Sequence, residues 1–251
     1  MAEMMNEKKD RALKRGAGLL LPISSLPSPY GIGTLGKEAY KFVDYLVEAG
    51  QKYWQVLPVG PTSYGDSPYQ SFSAFAGNPY FIDLDYLVEE GLITKAQIKK
   101  FPWGDNAEYI DYATVYGSRF QILRMAFNNS TYAETQEYAQ FEKDNEYWLD
   151  DYSLYMAVKF KFDNQEWSKW DYDIKARQPE AIDRYKEELK DDIAFWKFCQ
   201  FKFFEQWNKL RVYANESGIE IIGDIPIYVA MDSADVWALS LIHISEPTRP
   251  Y

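Results

Sequence analysis

A single cysteine, Cys199, and a single histidine, His243, occur in a chain of 251 residues. One cysteine excludes an internal disulfide and any zinc site built on several thiolates. With one histidine, near the C-terminus, no imidazole base is at hand for Ser67, Ser71 or Ser73, and no GxSxG turn is present. Long apolar runs are also missing: none approaches the roughly 20 residues of a spanning helix. The N-terminal "MAEMMNEKKDRALKRG" has no apolar core and so is no secretory signal. Basic residues are outnumbered 27 to 38, for a net charge of −11, which argues against nucleic acid and anionic membranes as partners. These absences describe a cytoplasmic protein.

Aromatic residues are plentiful, at 18% of the chain. Most must build a core, but the loop "GDSPYQSFSAFAGNPYFIDL" (65–84) sets its rings among hydroxyls, an amide and carboxylates. Tyr64 and Tyr69 can be read there as packing residues or as platforms for a flat ligand. In the same stretch Asp83 and Asp85 read as turn or strand-end residues.

Around this loop the pattern alternates. "AGLLLPISSLPS" reads as a strand buried on both faces. Thr34 to Gly50 reads as a helix, with Leu35, Ala39, Phe42 and Leu46 on one side, Thr34 as cap and Gly50 as stop. Tyr53 to Leu57 reads as a second buried strand. Strand, helix and strand with short links make a βαβ unit and a parallel sheet. Residues 86–217 then read as mainly helical, with Trp196, Cys199, Phe203, Trp207 and Leu210 on one face and Phe195, Phe198 and Phe204 widening it. Cys199 is on that face as a core residue. "GIEIIGDIPIYVAMDSADVWA" restores a strand at Ile219–Ile222, ending at Asp224. Asp224 suits either a turn that bonds its own backbone or a polar group at a strand's C-terminal end, where barrels keep their sites. The chain carries 38 carboxylates and no local spacing selects a catalytic pair among them.

Three stretches together, "GLLLPISSLPSPYGIGTLG", "YWQVLPVGPTSYGDSPYQSFSAFAGNPYFIDL" and "IEIIGDIPIYVAMDSADVWA", resemble the amino-terminal half of the 4-α-glucanotransferases of glycoside hydrolase family 77. The resemblance spans about residues 16 to 238. It implies an α/β fold: the first three strands of a (β/α)₈ barrel, with a long helical insertion between strands two and three. The expected parts are a polar arm (1–15), the first part of the barrel (16–85), a helical insertion subdomain (86–217) and the third strand with its loop (218–238). Its chemistry would be retaining transfer of α-1,4-glucan segments between maltodextrin chains, with no metal and no organic cofactor. Ser67, Tyr69 and Asp224 would contact sugar near the scissile bond, and Tyr64 would contact it farther away. The family's three catalytic carboxylates match no motif of this chain, so no catalytic residue is expected in it and the chain itself should be inactive. The end, "LSLIHISEPTRPY" (239–251), resembles a translated sequencing adaptor rather than native sequence. A glucan-binding module without catalysis is the alternative reading; debranching hydrolases fit "SPYQSFSAFAGNPYFIDL" less well.

Overall fold

The computed structural model describes residues 15–244 except positions 64, 107, 227 and 228, and the side chains through position 239. The sheet is small and parallel, ordered β1 (Gly18–Leu20), β2 (Tyr53–Gln55) and β3 (Glu220–Ile222). Leu19 pairs with Trp54, and Trp54 with Ile221, which puts these three on one face. Helix α1 (Lys37–Glu48) covers that face; its Phe42 meets the fully buried Trp54 edge-on at 5.0 Å. The opposite face carries the exposed Leu20 and Gln55.

Two expectations need correction here. The strand expected from "AGLLLPISSLPS" is only Gly18–Leu20 and is exposed, not buried on both faces. Pro22 lacks the N–H that would continue the ladder, and Ile23–Ser25 turns as a 3₁₀ helix. Thr34 does not cap α1, whose N-cap is Gly36. Its hydroxyl donates instead to Asp83 Oδ2 at 2.6 Å, satisfying a buried carboxylate that itself caps the next helix. Gly50, at φ 67°, closes α1 as expected.

Between β2 and β3 the chain is chiefly helical: α2 (Leu84–Glu89), α3 (Lys95–Ile98), α4 (Tyr112–Asn128), α5 (Gln136–Lys161), α6 (Tyr172–Lys175), α7 (Pro179–Glu188) and α8 (Lys190–Glu216). A last helix, α9 (Ala234–Ile244), follows β3. It runs through Leu239, so the break expected after Ala238 is not a break in the helix; His243's side chain and residues 245–251 lie outside the described residues. Helices α5 and α8 pack along each other, with ring contacts from Tyr138 and Phe141 to Phe201, from Trp148 to Phe204 and from Tyr152 to Trp196 along their length. Phe120, Phe160 and Trp196 meet edge to face at 5.1–5.9 Å, an arrangement that satisfies ring quadrupoles. Cys199 is buried in this contact, and burial pushes its thiol well above the ordinary range, as suits a core residue.

What holds the polar loop to this aromatic layer is a pair of glutamines on α8. Gln200 accepts from the Gly77 N–H at 2.7 Å and donates to the Gly77 carbonyl at 2.9 Å. Gln206 does the same for Asp83, at 2.7 and 3.2 Å. Both side chains are buried, so each completes a backbone pair that no water can reach. Gly77 is required for the approach: a Cβ there would lie 1.9 Å from the Phe203 ring. On the other side Arg119, fully buried on α4, donates to the carbonyls of Ile82 and Tyr30 at 2.8 and 3.4 Å. Burial pulls its guanidinium down to about 10, still cationic at neutral pH.

Replacing Gln200 with Leu leaves the N–H and C=O of Gly77 buried and unpaired, at roughly 1–3 kcal/mol for each stranded group. Gln200→Leu is therefore expected to lose at least about 2 kcal/mol in urea unfolding. A variant within about 0.5 kcal/mol of the parent would show that this clamp contributes little to folding.

Candidate functional site: a polar finger, a strand end and an aromatic cavity

Residues 61–72 fold back on themselves as a finger after β2. Thr62 bridges to Ser71, and the Ser63 N–H donates to the Gln70 carbonyl at 2.8 Å. Gly65 and Asp66 turn the tip with φ of 85° and 55°, the second a backbone state that a non-glycine residue adopts at some cost. Serines build the finger rather than act as nucleophiles. Ser71 Oγ is buried 2.8 and 2.7 Å from the carbonyls of Pro61 and Ser73. Ser73 Oγ accepts from the Phe75 N–H. Ser67, half-buried, accepts from the Tyr69 N–H at 3.3 Å and so shapes the turn that presents Tyr69.

Tyr69 and Asp224, far apart in sequence, are brought together. The Tyr69 hydroxyl donates to Asp224 Oδ2 at 2.8 Å, while Oδ1 of the same carboxylate accepts from the Ile225 N–H at 2.8 Å. The turn reading of Asp224 is met by its bond from the Ile225 N–H, and the same carboxylate also reaches a side chain across the sheet end. That bond, ahead of burial and of the negative charge itself, raises the Tyr69 phenol above its ordinary range. Tyr69 stays 45% exposed, so the residue is open to solvent beside Asp224. Ser67 lies on the same finger and is tied to the pair through the Tyr69 N–H. Tyr64 falls outside the described residues.

The loop after β3 is fixed by residues that the sequence reading did not single out. Asp232 accepts from the Tyr155 hydroxyl at 2.7 Å, from the Trp167 N–H at 3.2 Å and from Lys159, a lysine only 3% exposed. Asp235, at the start of α9, accepts from the Ala74 N–H at 2.7 Å and from the Ser73 hydroxyl. Burial raises the Asp235 carboxyl, against the lowering effect of those two bonds. The run "MDSADVWA" did hold the signal: Ser233 Oγ accepts from the Val236 N–H, as a helix cap should. What the run could not show was that its carboxylates point at a different loop.

Beside the finger lies a cavity of about 590 Å³. Thr62, Asp66 and Phe72 of the finger form one wall; Tyr112 and Tyr116 of α4, and Lys159 and Phe160 of α5, face them. Asp66 is the polar centre. Burial raises its carboxyl, and its charge in turn helps raise the phenols of Tyr80 and Tyr112. At the rim the Asn164 amide donates to the Tyr116 hydroxyl at 3.2 Å. Rings with hydroxyls at their edges suit a ligand that has apolar faces and a polar rim. Among the described residues no group of three or more His, Cys, Asp or Glu is placed to hold a metal ion.

The 4-α-glucanotransferase family model matches residues 21–246. The chain belongs to the 4-α-glucanotransferase family. Among curated relatives, the 4-α-glucanotransferase of Clostridium butyricum is 56% identical over 216 residues, which is 86% of this chain and 44% of that protein. The Thermus thermophilus 4-α-glucanotransferase is 45% identical over 243 residues, or 95% of this chain and 48% of that protein. The chain thus spans about half the length of the curated relatives it matches. Among solved structures, the Streptococcus agalactiae amylomaltase in complex with acarbose superposes with a TM-score of 0.86 at 43% identity, covering 90% of this chain and 46% of that one. The α/β architecture is therefore that of the glucanotransferase family over the matched half.

The Tyr69–Asp224 bond has a titration signature. The Tyr69 ring, followed by ¹³C NMR of labelled tyrosine, is expected to ionise above the free-tyrosine value of about 10 and to return toward it in Asp224→Asn. Unchanged titration in that variant would mean the two groups are not bonded in solution.

Proposed function

We propose that this chain supplies part of the glucan site of a 4-α-glucanotransferase. In this reading the three parallel strands are the first strands of a (β/α)₈ barrel, with residues 86–217 as a helical insertion subdomain. The observation that carries it is the meeting of Tyr69 and Asp224 at the C-terminal ends of β2 and β3. In barrel enzymes that end carries the chemistry, and a ring beside a carboxylate is the pairing a hexose needs. The ring covers an apolar sugar face, and the carboxylate accepts from hydroxyls at its edge. Ser67 adds a hydroxyl on the same finger. Family membership supports this reading independently of the geometry.

In the assembled enzyme the reaction moves a glucan segment from one α-1,4 chain to another. A carboxylate attacks the anomeric carbon, an acid protonates the departing oxygen, and a sugar hydroxyl takes the place of water. Ser67, Tyr69 and Asp224 hold the donor sugar during these steps, and Tyr64 contacts a more remote part of the glucan. The cavity beside the finger, with Tyr112 and Tyr116, extends the same ring-and-hydroxyl surface toward longer chains. The attacking and protonating groups come from sequence that this chain does not match.

A grip that tightens as the sugar flattens and gains positive charge lowers the barrier as well as the dissociation constant. When residues 1–238 are joined to a family C-terminal half, Asp224→Ala should cut kcat on maltotriose about 10²-fold, near 2.7 kcal/mol at about 1.4 per decade. Tyr69→Ala should lower kcat too. Wild-type kcat in a folded Asp224→Ala enzyme would reduce Asp224 to its turn role and refute the site. The 251-residue chain alone is expected to bind maltotriose without disproportionating it. Glucose or longer maltodextrins appearing above a no-protein control would contradict that.

A further inference from the structure

Lys159, in the last turn of α5, is a buried lysine to which the transfer chemistry gives no part. Its ammonium reaches three places at once. It pairs with Asp232 in the loop after β3, and it donates to the Gln165 carbonyl at 3.2 Å, just past the end of α5. It also lies 5.0 Å from the centre of the Phe72 ring at the root of the finger. A methionine would fill much the same space without taking a charge out of water, and a buried ion pair adds little net stability. Folding alone therefore does not call for an ammonium here. What the charge adds is attraction: a carboxylate from one segment and a ring from another are drawn to a single point.

Those two segments are the ones that carry Asp224 and Tyr69. The loop after β3 draws little hold from apolar burial, since Ile225 and Met231 are each 76% exposed. Its strand end is fixed by the Val56 N–H, which donates to the Ile222 carbonyl at 3.0 Å. Its far end is held by polar contacts. Asp232 takes Lys159, Tyr155 and the Trp167 N–H, and the Met231 carbonyl accepts from the Trp167 indole at 2.7 Å. The Ala234 N–H then donates to the Phe72 carbonyl at 2.8 Å, joining loop to finger at the residue whose ring Lys159 faces. A shift at this junction is carried along both segments to the Tyr69–Asp224 bond.

We infer that Lys159 is a positioning residue for glucan transfer: by drawing Asp232 and Phe72 together it keeps Asp224 within reach of Tyr69. This rests on the glucan reading above and adds to it a residue that acts from behind the grip. A loosened pair still meets sugar through its ring, but it no longer tightens on the flattened transition state. Loss of Lys159 therefore falls on turnover more than on affinity.

Lys159→Met alone leaves the Asp232 carboxylate without its cation and endangers the fold. The test therefore uses Lys159→Met/Asp232→Asn, in which the asparagine oxygen still accepts from Tyr155 and Trp167. Asp232→Asn alone carries the same readouts where the double variant does not fold. The control is Lys202→Met, which removes another buried lysine, one paired with Glu90 and Glu205. Circular dichroism checks the fold of each. One readout is the ionisation of the Tyr69 ring in the 251-residue chain, by ¹³C NMR of labelled tyrosine. The other is kcat and KM on maltotriose when residues 1–238 are joined to a family C-terminal half. In the double variant Tyr69 is expected to ionise closer to the free-tyrosine value of about 10. Its kcat should fall about tenfold while KM changes less than about threefold, and Lys202→Met should move neither readout. The parent's Tyr69 titration or the parent's kcat in a folded double variant, or in folded Asp232→Asn, overturns the positioning role. The glucan reading then stands, because it falls only if Asp224→Ala keeps its kcat in the same assay.

Discussion

The paired amide bonds from Gln200 and Gln206 to Gly77 and Asp83 decide where the polar loop can sit. A stretch so rich in hydroxyls and carboxylates would ordinarily stay in solvent, because a buried unpaired backbone group costs too much. Here one long helix, otherwise a carrier of core aromatics, presents amides that mimic a neighbouring strand. The loop is thereby docked on an apolar layer without leaving its backbone stranded. Arg119 completes the support from α4, and Thr34 pairs the Asp83 carboxylate from the β1 side. Residues 77–83 are thus fixed at the base of the finger that precedes them. The finger carries Tyr69 to Asp224.

The support from the other side is ionic as well as amide. Lys159 and Asp232 form a pair in which the lysine is almost fully buried, with the Phe72 ring 5.0 Å from its ammonium. A buried pair of this kind contributes little net stability, since desolvation offsets the attraction, but breaking one partner is costly. Its value is therefore positional. It ties the loop after β3 to α5, while Asp235 ties the start of α9 to Ala74. Strand end, finger and helical layer are thus joined by polar contacts, and the aromatic packing supplies most of the cohesion.

Much of this was legible in the sequence. The βαβ unit followed from the apolar run at β2, the α1 periodicity and Gly50, and the buried face of α8 followed from its ring spacing. Asp224 stood out because it ends an apolar strand; Tyr69, which the loop pattern left open between packing and a ligand platform, was singled out by the family resemblance. Other features were out of reach because they are long-range. Nothing local to Gln200 or Gln206 marks them as backbone clamps, since glutamine on a helix is ordinarily a surface residue. Lys159 and Asp232 look like two more charges among many until the fold buries the first of them. The exposure of Leu19 and Leu20 was missed for a different reason: a continuous apolar run predicts a strand buried on both faces, whereas these neighbours, on opposite faces of β1, both stay exposed.

The central claim, that Tyr69 and Asp224 together hold sugar, is tested most directly by a crystal structure of this protein grown with saturating maltotriose. The account predicts a glucose ring stacked on the Tyr69 ring, with one of its hydroxyls donating to Asp224. A sugar bound elsewhere while the Tyr69–Asp224 pair stays closed and unoccupied would contradict it.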